Sequence, residues 1–581
     1  MRSDTVRAER MASSLARWFA GRRLPTTLWM CCALSLASPG AEVKSPKPAI
    51  LPTSGTPQSA TPRAVCTFES IGLYWTPADG AEARTCRTQY RIAGERAWRD
   101  ALPLWFDKRI GEYRGSIVQL RSGTQYEVRL ELAGGKTSAS LKAATWNEVF
   151  PISRTIEVGD TKGKTLTVDQ SGTAQGYVLY THRPGATTAL LDGADSVDEC
   201  VEVKASHVIL RGFTIRSPKI HGIVLGEGSH DIVIEGCDIS GWGRIAKDGW
   251  GVDYDSAVFS RLKPLTRVII QRNRMHDPRS NSNSWQEFRE GGGRYHPMGP
   301  QAIFFSNCEG NHVLRYNEFT TDDQHFCNDI FGGENNTSLR GYPGTDSDVY
   351  GNRIEGCWDD GLEIEGGGCN VRVWGNYIDR TMVKIAIAGI SVGPTYVFRN
   401  VAGSSRFGHE GWGGGPFIKM GHAPLTGGGR AYIFHNTILQ PEVSGAPDTM
   451  GCNEGLSQSG GPELLSIVSR NNILHIRKVG GSSIRDASKM PNPEYDYDYD
   501  LLSGKVVSAG SPEPHGIKGV PIYAAKRVPG DFALDPNSPG FDAGVVIPNF
   551  NDGFAGKAPD VGAFEAGSPP MEFGVKAKLH Q

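Results

Sequence analysis

Four carboxylates stand within seven residues in the stretch Cys357-Trp358-Asp359-Asp360-Gly361-Leu362-Glu363-Ile364-Glu365. Acidic groups this close repel one another unless a cation, a lysine or a shared proton relieves them. Asp359, Asp360, Glu363 and Glu365 are oxygen donors of the kind calcium prefers, and Trp358 beside them offers a ring for sugar stacking. The competing reading is an ordinary solvated acidic edge. A second cluster runs from Phe407 to His422, a glycine-rich loop that carries His409, Glu410, Trp412 and Lys419. His409 or Lys419 is a candidate base there, with Glu410 and Trp412 as sugar contacts. A third, Asp322 to Asp329, supplies His325 and Asp329, and Lys384 lies about one repeat beyond the acidic stretch, opposite Asp360 or Gly361.

Two chemistries suit such a set. In β-elimination from an acidic polysaccharide, the uronate carboxylate is neutralised so that the C5 proton becomes removable; calcium is the cofactor this invites, and Lys384, His409 or Lys419 the base. Hydrolysis needs two carboxyl groups at a set separation, and Asp329 with Asp360 on neighbouring repeats would lie about 5 Å apart, the retaining distance. Uronate epimerisation shares the lyase's first step. A groove that only holds sugar, as in an adhesin, remains the non-catalytic alternative.

The elements that would position these residues are legible from composition and repetition. Glycine accounts for 73 of 581 residues, and only 15 of them precede residue 185. There is no G-X-Y period, so collagen is excluded, and glycine at this density disfavours helices. From about residue 205 the chain repeats: HVILRGFTI, DIVIEGCDI, RVIIQRNRM, HVLRYNEFT, SDVYGNRIE, VRVWGNYID, TYVFRNVAG, AYIFHNTIL, SIVSRNNIL. One column reads Phe213, Cys237, Asn273, Asn317, Asn352, Asn376, Asn400, Asn436, Asn471, with 24 residues as the shortest spacing. A unit this short cannot bury its own apolar face and must stack on its neighbours; propeller blades need about 40–50 residues. The expectation is an all-β, right-handed parallel β-helix of about nine or more rungs, with the asparagines laddered at one corner. Insertions at about 276–300, 320–346, 403–431 and 440–465 would wall a groove over the regular rungs at 352–400.

With the phrases Gly228 to Cys237, Leu534 to Gly544 and Pro559 to Glu565, this repeat resembles the pectin-lyase-like β-helix superfamily, in its right-handed β-helix repeat branch. The resemblance covers most of 150–566 and implies the fold; the superfamily includes lyases, hydrolases, epimerases and adhesins, so it does not fix the activity. The order Asp-Asp, Gly-His, Ile-Lys is similar to polygalacturonases, but their Asn-Thr-Asp motif is absent and Glu410 replaces their last glycine, so those catalytic roles are not carried over.

Residues 65–146 carry short β-patterned runs, and Leu120 to Leu130 resembles the fibronectin type III pattern of a Gly-Thr turn and a corner tyrosine, here Tyr126, with Trp75 as the buried tryptophan. A small β-sandwich that serves as a spacer is expected. Residues 1–41 read as an export signal, arginines followed by the apolar run Leu24–Ala37; 42–64 read as a Pro/Ser/Thr-rich linker and 567–581 as a tail. The expected location is secreted or periplasmic, with no membrane span after cleavage. Six of 61 basic and two of 63 acidic residues lie in 1–41, leaving 55 against 61. A mildly acidic body without a basic face argues against nucleic acid as the partner; the expected state is a monomer whose partner is a polysaccharide. Nine cysteines follow the signal, with Cys66–Cys86 and Cys357–Cys369 as candidate disulfides.

Overall fold

The computed structural model describes residues 59–287, 296–334, 338–408, 411–412, 414–421, 428–440, 450–458, 466–486, 494–508, 512–525 and 528–578. The expected signal, most of the linker, His409 and Glu410 lie outside them. Among the described residues every regular element is a strand, and no helix is long and apolar enough to cross a membrane.

The first seven strands are β1 (Arg63–Cys66), β2 (Ile71–Trp75), β3 (Cys86–Ile92), β4 (Arg99–Asp107), β5 (Glu112–Ile117), β6 (Gln125–Leu132) and β7 (Ser138–Ala144). They pair antiparallel in the order β1-β2-β5-β4-β3-β6-β7. β4 serves two neighbours: Arg99 to Leu104 pairs with β3, and Trp105 to Asp107 with β5. β6 alternates buried and more exposed positions, as a half-buried strand should. Its apolar side joins Trp75, Tyr113 and Tyr126 in a separate core, and the Tyr126 hydroxyl accepts the Arg121 N–H at 2.8 Å.

From Ile152 the pairing becomes parallel. Twelve strands, from Ile152–Val158 to Asp496–Tyr497, stack one per turn of chain into a first sheet. The strands between them form two further parallel faces. Arg353–Glu363 and Tyr377–Ala386 run continuously from the second face into the third. Val, Ile, Leu and Phe from all three faces fill one core along the axis, including Ile234, Ile270, Val349, Val373, Val397 and Ile433 from the first sheet. This is a parallel β-helix.

One corner explains both the repeat and the glycines. Gly212, Gly236, Arg272, Tyr316, Gly351, Gly375, Arg399, His435 and Asn471 all take left-handed φ, between 52° and 75°, between the first and second faces. Glycine adopts this region without strain, but five of the nine are not glycine, so neighbouring contacts hold them there. The next residue forms the ladder. Asn273 Nδ2 donates to Asn317 Oδ1, and the same bond recurs from Asn317 to Asn352, Asn376, Asn400, Asn436 and Asn472 at 2.9–3.1 Å. The line ends on Asp500 Oδ1, 2.8 Å from Asn472 Nδ2. The ladder's last asparagine is thus Asn472 and not the expected Asn471, which occupies the left-handed corner itself.

The outer face of the first sheet is covered. Arg372 and Asp348, both fully buried, pair at 2.6 Å, and Thr67 and Ser70, between β1 and β2, donate to the same carboxylate. Val118 packs among Tyr396, Phe398, Tyr432 and Phe550. The chain end returns to the same side, where Arg272 donates to the carbonyl of Ala577. All nine cysteines from Cys66 to Cys452 are free thiols, which overturns both expected disulfides.

Buried His312 accepts the Val268 N–H on Nδ1, and burial pulls its pKa from 6.5 down to about 3. The unfolded imidazole takes a proton below 6.5 and the folded one does not until about 3, so its contribution is complete above 6.5 and is lost as pH falls. The expected slope is about 1.4 kcal/mol per pH unit in that window. Urea titrations of wild type and His312→Asn between pH 4 and 7 should differ in slope by that amount; parallel profiles would refute it.

Candidate active site

The site forms where the strand Arg353–Glu363 turns from the second face into the third. Cys357 faces Thr381, but Asp360 faces Val383, so this strand holds one extra residue there. Such a bulge re-aims side chains. Here it lets the consecutive Asp359 and Asp360 meet Asp329 from the previous rung, with an oxygen of each within 4.8 Å of the others. Past the bulge, Leu362 and Ile364 enter the core, as alternation requires. That leaves Glu363 and Glu365 on the opposite side.

The five carboxylates Asp329, Asp359, Asp360, Glu363 and Glu365 expose only 1–9% of their surface. Lys419 is the cation among them: its Nζ lies 2.5 Å from Asp360 Oδ2 and 3.3 Å from Glu365 Oε1. His296 Nε2 reaches Asp359 Oδ2 at 3.3 Å from a largely exposed position. Asp360 N–H donates to Asp329 Oδ1 at 3.0 Å, Gln301 Nε2 to Asp329 Oδ2 at 3.3 Å, and Asn328 Nδ2 to Asp253 Oδ1 at 2.8 Å.

Burial first, and then mutual repulsion, lifts Asp329, Asp359 and Glu363 well above the usual carboxylate range. Glu365 rises to about 7, with Lys419 opposing the shift, and burial brings Asp253 to about 6. Burial works against the Lys419 charge, but Asp360, Glu365, Asp359 and Glu363 outweigh it and hold the ammonium well above its ordinary value. The field asks for more positive charge than one lysine provides. Among the described residues, Asp360 Oδ1, Glu365 Oε2 and Asn328 Oδ1 are buried without a hydrogen-bond donor. An all-oxygen donor set with uncompensated acceptors fits a hard divalent cation such as calcium.

The structure therefore brings together Asp329, Asp359, Asp360, Glu363, Glu365 and Lys419. It does not bring in Lys384, which is fully buried and donates to the Thr381 carbonyl and hydroxyl and the Ser404 carbonyl. Register sets Lys384 opposite Gly361, but its amine is spent on backbone carbonyls. His325 bonds Asp322 at 2.7 Å and groups with Asp277, apart from the five carboxylates. Trp358 is 6% exposed, packed on Phe326 at 4.7 Å between centroids and covered by the Arg406 guanidinium, so its ring is not open to a sugar. Trp412 lies on a short strand paired with Arg406–Gly408, and its side chain is outside the described residues, as are His409 and Glu410. Sequence reasoning missed Asp253 and Gln301, and His296 stood outside the three clusters it singled out. They arrive from two earlier rungs and an insertion of irregular length, and no spacing signal reaches across these.

No family model matches the chain, and no curated protein is similar to it. Among solved structures, pectate lyase Pel9A is similar with a TM-score of 0.37 at 14% identity, over 71% of this chain and 86% of that one. An alginate lyase from Paenibacillus sp. str. FPU-7 is similar with a TM-score of 0.30 at 12% identity, over 58% and 96%. Both overlaps are loose.

Proposed function

We propose that this chain is a polysaccharide lyase that cleaves a uronate-containing glycan by β-elimination, with Lys419 as the base. The observation that carries the reading is one lysine amine held at hydrogen-bond distance within a group of five buried carboxylates. Asp329, Asp359, Asp360 and Glu363 would hold calcium, with Glu365 beside Lys419. Calcium there would neutralise the substrate carboxylate and offset the field that keeps the Lys419 amine protonated. The neutral Lys419 amine takes the C5 proton, the C–H electrons form the C4–C5 double bond, and the C4–O4 bond breaks, with O4 taking a proton from solvent water. Asp360 and Glu365 fix the amine in place, and Asn328 and Gln301 orient the carboxylates. The reading includes export, a monomeric state, a right-handed coil, as crossovers between parallel strands almost always are, and a fibronectin type III-like spacer, supported by the strand order and the Tyr126 hydrogen bond.

Incubation with a panel of uronate polysaccharides should generate the ultraviolet absorbance of an unsaturated uronate. Reducing ends without that absorbance would replace the lyase with a hydrolase. Calcium at 100 times its Kd should raise the unfolding free energy by about 2.7 kcal/mol, read as a higher melting temperature, with Asp360→Asn showing little of the gain. An unchanged melting temperature at millimolar calcium would remove the metal from the reading.

A further inference from the structure

Along the third face, one outward-facing line passes through Phe259, Phe304 and Gly332, continues beside them through Glu363, and then runs through Ala386, Lys419, Ser457 and Arg485. At roughly 4.8 Å per rung, Phe259 stands about 14 Å from Glu363. At that end the surface changes character. His221 stacks on Phe259 at 3.9 Å between centroids, Phe259 on Phe304 at 5.3 Å, and Tyr254 leans on Phe304 at 4.7 Å. The Arg261 guanidinium lies 5.4–5.5 Å from the Tyr254, Phe259 and Phe304 rings.

We propose that Arg261, Tyr254 and Phe259 form a second sugar subsite, selective for an acidic pyranose, several residues along the same glycan from the reacting bond. This rests on the lyase reading of the carboxylate site. Four observations support it. The Arg261 side chain is half exposed, and its one carboxylate partner among the described residues, Glu334, is 3.4 Å away and 40% exposed. An ion pair of this kind is worth little, so a uronate carboxylate can replace Glu334 and gain a planar two-pronged contact. Phe259 and Tyr254 are only partly buried and provide the apolar surface on which a pyranose face packs. The patch is also continuous with the reacting site, because Phe259 pairs with Phe304, Phe304 with Gly332, and Gly332 lies against the Glu363 side chain. Tyr254 holds a left-handed φ of 68°, an arrangement a bulky residue keeps only where its surroundings enforce it.

A subsite this far away predicts a dependence on substrate length. Wild type should use polymer and long uronate oligosaccharides with a much lower KM than di- or trisaccharides. Arg261→Gln should raise KM on the long substrates about tenfold, leave kcat within twofold, and leave the shortest substrates unchanged; Arg261→Lys should recover part of the loss. Binding provides a readout independent of turnover. In the Lys419→Arg background, titration calorimetry with a long uronate oligosaccharide should show about tenfold weaker affinity when Arg261→Gln is added. Equal affinity with and without Arg261→Gln, in a protein that binds the oligosaccharide, overturns the subsite and leaves the lyase reading standing. No binding of any uronate oligosaccharide, with native unfolding behaviour, overturns the lyase reading itself.

Discussion

Lys419→Arg should fold as wild type, keep its charge beside Asp360 and Glu365, and lose elimination activity by about 10³-fold, within the range a positioned base supplies. Arginine preserves the ion pair but cannot release its proton at any working pH. The substitution therefore separates the field of the cation from its use as a base. Lys419→Ala is the harsher variant, because it leaves Asp360 and Glu365 buried with no positive partner. Its carboxylates would take up protons instead, and its melting temperature should fall as pH rises through 7, the value to which Glu365 is already lifted with the lysine present. Rates followed by the ultraviolet absorbance of product, with circular dichroism as the folding control, distinguish the cases. A Lys419→Arg enzyme with more than a tenth of wild-type activity would remove Lys419 from the base role.

Asn376→Ala should be among the most destabilising single substitutions in the chain, at about 3–5 kcal/mol. Asn376 Oδ1 accepts from the Asn352 backbone and side-chain N–H groups at 3.0 and 2.9 Å, and its Nδ2 donates to the Val349 carbonyl and to Asn400 Oδ1. The residue is fully buried, so no water replaces those partners, and each buried polar group left unpaired costs about 1–3 kcal/mol. The losses do not add in full because the neighbouring rungs relax. The readout is the urea midpoint at constant m-value. A shift worth less than 1 kcal/mol would mean that the core strands alone hold the rungs together.

Much of this architecture was readable because it repeats. A 24-residue unit with one asparagine per turn predicts stacked parallel strands before any contact is seen, and the left-handed corner beside it accounts for the glycines at 212, 236, 351 and 375. The register slipped by one at Arg470-Asn471-Asn472, where two adjacent asparagines satisfy the pattern equally and only the corner φ decides between them. The carboxylate stretch was legible as a cluster, but its geometry was not. Simple alternation cannot foresee the extra residue between Cys357 and Asp360, which aims both aspartates at Asp329. Lys384 and Lys419 looked equivalent in sequence. Their difference is which atoms lie within reach of each amine, carbonyls for one and carboxylates for the other, and this depends on the insertion between their rungs. Asp253 and Gln301 were illegible for the same reason: irregular insertions separate them from the acidic stretch, although the coil brings their rungs together.

The asparagine ladder also has a direction. From Asn273 onward each side-chain amide turns one N–H toward the next rung and the other back to a backbone carbonyl, so the forward N–H···O bonds run head to tail and the row presents its donor end at Asn472. The acceptor waiting there is a carboxylate. Burial raises both Asp500 and Glu513, and the nearby Asp500 charge raises Glu513 further. A carboxylate can take the last N–H but has none to pass on. The row is therefore a polarised wire with an insulating terminal: its final acceptor meets the row's donor end, and the motif that templates each turn from the one before stops at the rung that bears it.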